Sequence, residues 1–90
     1  MHQFAVFTGN SRYDVVVDRV TMRPLMLKQA WGTDTGIAQG QWHLLAESTP
    51  LKEGERIVCR FAGSVQGGLT TSPVRDFLPA VPDGDLDFLS

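Results

Sequence analysis

The chain has 90 residues, 42% of them hydrophobic and 20% charged, and a net charge of −2. That length makes one domain, the composition is that of an ordinary folded protein, and the charge balance excludes a general attraction to polyanions. A single cysteine, Cys59, excludes an internal disulfide.

Met1-His2-Gln3-Phe4-Ala5 carries neither a basic leader nor a long apolar stretch, so no secretory signal is expected. No uncharged run approaches the roughly 20 residues of a spanning helix. The expectation is a soluble, cytoplasmic protein without membrane contacts.

Phe4-Ala5-Val6-Phe7-Thr8 is an apolar run that stops at Gly9-Asn10-Ser11, residues that make turns because Gly and Asn tolerate positive φ. Tyr13 to Val20 follows, with three adjacent β-branched valines at 15–17 that suit a pleated sheet. The two runs predict a β-hairpin. Arg23 to Trp31 is ambiguous. Pro24 can open a helical turn or begin an edge strand, and Gly32 to Gly36 reads as loop, with Trp31 at its margin. Gln41 to Ala46 predicts a third strand, and Glu47 to Glu55 holds two turn signals around Pro50 and Gly54.

In Arg56 to Ala62, alternation places Ile57, Cys59 and Phe61 on one face. Leu69 to Ser72 and Val74 to Leu78 predict a last strand or pair interrupted by Pro73. No stretch holds a helical period over three turns. The expected fold is all-β, a small barrel or sandwich, SH3-like or OB-like, of five or six short strands. It occupies residues 1–78, and residues 79–90 form an acidic, apolar C-terminal tail. The expected core comprises Phe4, Val6, Val15, Val17, Trp42, Leu44, Ile57, Cys59 and Phe61.

The sequence offers no catalytic, cofactor or metal signature, and the expectation is a protein that is not an enzyme. A nucleophilic pair of Cys59 and His43 has no local motif behind it. The histidines and Cys59 lack paired zinc-ligand spacing. Asp83, Asp85 and Asp87 imitate the opening of a calcium loop, but its sixth position, which requires Gly, is Phe88. Gly63 to Gly68 lacks the Lys-Ser/Thr ending of a phosphate loop and reads as a turn.

Two contact surfaces remain. The tail concentrates three acids beside Leu86, Phe88 and Leu89; without those acids the chain has eight basic and seven acidic residues. Such a segment cannot fold alone but suits a basic, apolar groove. The proposed partner contacts are Asp83, Asp85, Leu86, Asp87, Phe88 and Leu89, with Trp31 on a loop as a second anchor. Two other outcomes stand beside this one: Phe88 and Leu89 fold back on the body, or the tail is inert. The alternative surface binds single-stranded nucleic acid. Phe7, Tyr13, Trp31 and Trp42 would offer stacking platforms, and Arg12, Arg19, Arg23 and Lys28 phosphate contacts. Asp14, Asp18 and Asp34 interrupt that basic stretch.

The terminal Asp85-Leu86-Asp87-Phe88-Leu89-Ser90 resembles the acidic, Phe-bearing tips of bacterial and phage single-strand-binding proteins, which recruit partner proteins, but it ends on Ser and has no long linker before it. Leu51-Lys52-Glu53-Gly54, Ile57 and Gly68-Leu69-Thr70-Thr71-Ser72-Pro73-Val74 together resemble the ends of small phage- and plasmid-encoded β proteins, over about a quarter of the chain. The resemblance implies a phage or mobile-element accessory protein that modulates a host macromolecule through contact, with a protein as partner. It implies no catalytic residue. Assembly into a virion component, or into a homo-oligomer, is the remaining alternative.

Overall fold

A computed structural model describes residues 2–33, 39–63 and 67–80. Its first element is the hairpin expected from the turn chemistry at Gly9-Asn10. Strand β1 (His2–Phe7) pairs antiparallel with β2 (Ser11–Val17), from His2 opposite Val17 to Phe7 opposite Arg12. The hydroxyl of Thr8 donates to the Ser11 carbonyl within the turn.

The ambiguous segment is a strand. β3 (Pro24–Gly32) pairs with β2 along its length. Pro24 does no harm to the ladder because it is the first residue of the strand. Trp31 therefore stands within β3, not on a loop.

β4 (His43–Ser48) begins two residues later than expected and takes in Glu47 and Ser48. β5 (Val58–Phe61), β6 (Gly68–Thr70) and β7 (Asp76–Pro79) complete the chain. Seven strands replace the five or six expected, because β3 is a full strand and Ser72-Pro73 separates β6 from β7 rather than interrupting one strand. The sheet order is β6-β5-β4-β3-β2-β1-β7, with every neighbouring pair antiparallel.

One cluster of buried side chains joins the two halves of this sheet. It contains Val6, Tyr13, Val15, Val17 and Leu27 from the β1–β3 half and Leu45, Cys59, Phe61 and Leu69 from the β4–β6 half, with Leu51, Ile57 and Val74 from connecting segments. A flat sheet cannot bring β2 and β5 side chains into one cluster, so the sheet curls over its inner face. Three register shifts supply the bending: at Ala30 between the Arg12 and Tyr13 pairings, at Leu25 between Val16 and Val17, and at Ala46 between Leu45 and Glu47. An extra residue on one strand kinks it and increases the local twist.

Period-two patterning places Val6, Val15, Val17, Ile57, Cys59 and Phe61 in the core as expected, with Phe4 packed against it. Trp42 and Leu44 correct the expectation, since they are 38% and 61% exposed. Leu45 is buried in place of its neighbour. The Leu-Leu pair permits either parity, and Leu45 opposite Phe61 is the one that meets the core.

Close backbone approach fixes one end of the β2–β3 pair. Gly32 lies opposite Ser11 with φ +146°, and a Cβ there would collide with the Ser11 side chain and Cα. Only glycine accepts both conditions.

Candidate functional site: the outer face of the sheet

Residues directly opposite one another share a face of the sheet, and successive residues alternate. Because Tyr13, Val15 and Val17 point into the core, Arg12, Asp14 and Val16 point outward, and the pairings extend that face across five strands. One row runs Asp76, Phe7, Arg12, Trp31; the next runs Leu78, Ala5, Asp14, Lys28; a third runs Gln3, Val16, Met26, Leu44. The bulge at Ala30 matters here. It shifts parity by one position, so Trp31 rather than Ala30 stands opposite Arg12 on the outer face.

This face is apolar around a charged centre. Leu44, Trp31 and Leu78 are each more than half exposed, and Met26, Val16 and Phe7 are partly so. Single exposed apolar residues are commonplace, whereas a contiguous set marks an interaction surface.

At the centre, the Asp14 carboxylate is buried to 9% side-chain exposure and holds two cations. Its Oδ1 accepts from Arg12 Nε at 3.3 Å and Nη2 at 3.2 Å, and Lys28 Nζ lies 3.6 Å from Oδ2. Each cation also covers an aromatic ring. Arg12 Cζ sits 5.7 Å from the Phe7 centroid and Lys28 Nζ 4.9 Å from the Trp42 centroid. Phe7, Arg12, Asp14, Lys28 and Trp42 thus form a continuous band across β1 to the start of β4. Such contacts are worth about 0.5–1 kcal/mol each where exposed, and more where water is excluded. Their larger effect here is to hold two long side chains flat on the face, with their apolar stems covering the strands beneath.

The residues of the expected nucleic-acid surface do not come together. Tyr13 has no exposed area and cannot stack on a base, which corrects its assignment as a platform. Arg19 and Arg23 are exposed in the β2–β3 turn, where Asp18 accepts hydrogen bonds from the Val20 and Met22 amides. That turn is seven residues from Arg12, about 23 Å along an extended strand. Arg12 and Lys28 remain on the outer face, both committed to Asp14.

β3 and β4 pair only at Met26–Leu44 and Leu27–His43 and part beyond them. The opening is flanked by Leu25, Ala46 and Val58, with Asp18, Arg23 and Glu47 at its rim. It carries charges of both signs.

Cys59 is buried, and burial raises its thiol pKa from the ordinary value despite a hydrogen bond with the Leu69 backbone. A protonated, enclosed thiol is a poor nucleophile. It stands opposite Ser48, and no hydrogen bond joins it to His43 among the described residues. His43 instead packs its ring 5.1 Å from that of Phe61. Among the described residues, no group of three His, Cys, Asp or Glu side chains gathers as metal ligands, and no helix is long and apolar enough to cross a membrane.

Of the expected partner contacts, Trp31 is exposed on the outer face. Asp83, Asp85, Leu86, Asp87, Phe88 and Leu89 lie outside the described residues. Sequence reasoning missed Leu44, Leu78 and Met26 as surface residues. The signal was present for Leu78, which alternates with Phe77, but apolar character alone assigns such residues inward.

No family model matches the chain, and neither a curated protein nor a solved structure matches it.

Proposed function

We propose that the protein acts by contact, as a non-enzymatic accessory protein of phage or mobile-element type that binds a protein partner through the outer face of its sheet. The observation that carries this reading is the exposure of Trp31, Trp42, Leu44 and Leu78 on one face, on either side of the Arg12–Asp14–Lys28 centre. Large, rigid aromatic anchors beside arginine are the residues that dominate binding energy at protein interfaces. An apolar surround excludes water from them. A curled sheet of SH3-like or OB-like barrel type suits this role, because it presents a stiff platform whose residues are already ordered before a partner arrives.

A second reading has one observation in its favour: Trp42 with Lys28, and Trp31 beside Arg12, place stacking surfaces next to cations. Protein is favoured because Asp14 already neutralises one of the two charges, and the rest of the face is aliphatic.

Quantitative affinity capture from the host, comparing the parent chain with Trp31→Ala and Leu44→Asp, tests the proposal. Proteins retained by the parent and lost at least tenfold with both variants support it. Equal capture by all three, with the variants folded, rejects it. Titration with a single-stranded oligonucleotide at low salt separates the readings, since phosphate contacts are strongest there. Binding that is abolished by Trp42→Ala would replace the protein partner with nucleic acid.

A further inference from the structure

The described chain leaves the sheet at a defined place. After β7, the Ala80 amide donates to the Gln3 carbonyl at 2.9 Å, at the level of the outer-face row Gln3, Val16, Met26, Leu44. Residues 81–90, which lie beyond it, carry Asp83, Asp85 and Asp87 with Leu86, Phe88 and Leu89.

We propose that residues 81–90 dock across the outer face of their own sheet, with Leu86 and Phe88 on Met26, Leu44 and Trp42 and the tail acids toward Lys28 and Arg12. Three observations support this occupant. First, reach: from β7 to β4 is four strand spacings, about 19 Å, and the stretch 81–88 extended covers about 26 Å. Second, charge: Arg12 and Lys28 share the single carboxylate of Asp14, which leaves the centre of the face one positive charge in excess. Of the other acids on this side of the sheet, Asp76 lies at the β7 edge in the row farthest from the exit of the chain, and Glu47 on β4 is paired with Arg60 at 3.1 Å. Third, chemistry: the exposed Leu44 and partly exposed Met26 and Val16 form the row nearest the exit, where apolar side chains of the segment arrive first.

Docking in this way makes the segment a competitor for the face assigned to a partner above. It rests on that reading only for its biological consequence, because the experiment needs no partner. Nuclear Overhauser contacts in the full chain are the direct test. Contacts from the Phe88 ring to the methyls of Met26 and Leu44 are expected. Phe88→Ser in the full chain is expected to abolish them and to shift the amides of Val16, Met26 and Leu44 while those of Val15 and Ile57 hold. Contacts from Phe88 to the core residues Val6 or Phe77, or none to the body at all, would overturn the proposal. So would contacts that appear only between labelled and unlabelled copies in a mixed sample, since these place the segment on a second molecule. If the contacts are found and the partner assay above fails, the docking stands without the partner.

Discussion

Lys28 Nζ lies over the ring of Trp42, 4.9 Å from its centroid, so a cation from β3 bridges to an aromatic side chain just ahead of β4. The same ammonium is 3.6 Å from the Asp14 carboxylate, which ties three segments of the outer face to one charged group. Replacing Lys28 by Met keeps the apolar stem and removes the charge. The Trp42 emission maximum is expected to change, with stability lowered by about 1 kcal/mol or less, as suits a partly exposed interaction. An unchanged spectrum would show that the ammonium does not sit on the ring in solution.

Asp14 has a different weight, because it is buried and both cations depend on it. Asp14→Ala leaves Arg12 and Lys28 facing each other without a counter-ion. A loss of about 1–3 kcal/mol is expected, read as a lower urea midpoint at unchanged slope. Lys28→Met combined with Asp14→Ala should cost less than the sum of the two, since they share one interaction.

Tyr13 stands opposite Gln29 inside the sheet, and both are fully buried. The Tyr13 hydroxyl and Gln29 Oε1 have no hydrogen-bond partner among the described residues, while Gln29 Nε2 is 3.5 Å from Ser11 Oγ. Removing a polar atom that makes no bond relieves a desolvation cost. Tyr13→Phe is therefore expected to be neutral or stabilising, by up to about 1 kcal/mol. Tyr13→Ala, which opens a cavity, should cost about 3–5 kcal/mol. Thermal unfolding of the two variants checks both directions.

Gly32→Ala forces a Cβ into Ser11 at a backbone conformation that L-residues rarely adopt. A destabilisation of at least about 2 kcal/mol is expected, from strain and local rearrangement together. The paired variant Ser11→Gly should recover part of it by removing the collision while the φ penalty remains. Failure of that rescue would place the whole cost in the backbone conformation.

The Cys59 thiol, raised by burial, supplies a pH test. A group whose pKa is higher folded than unfolded adds stability that is fully present below the unfolded value and is lost as pH climbs through the folded one. Stability should hold through neutral pH and fall above about 9, where unfolded thiols ionise and the folded one resists. Cys59→Ala should show a shallower alkaline decline than the parent. Alkylation of Cys59 should be slow in buffer and fast in denaturant.

Alternation in Arg56–Ala62 identified the inner face of β5, because a side chain that must be apolar recurs every second residue on a half-buried strand. Val15 and Val17 were also expected inside, whereas buried Tyr13 was not. The hairpin around Gly9-Asn10 was legible for the same local reason. Ambiguity entered where both parities were apolar, at Leu44-Leu45, and where one extra residue changed parity, at Ala30. Trp42 looked like core because it is large and apolar, yet it lies ahead of β4 beneath Lys28.

Apart from Trp31 as a contact residue, the outer face was not legible, since it is assembled from alternate residues of five strands. Local chemistry determined that this chain forms strands, where several of them turn, and which side chains of β2 and β5 avoid water. Only the tertiary structure decided that Arg12, Asp14, Lys28 and the exposed apolar residues share one surface. Register between strands depends on bulges and on packing between the two halves of a curled sheet, and those couplings join residues far apart in sequence.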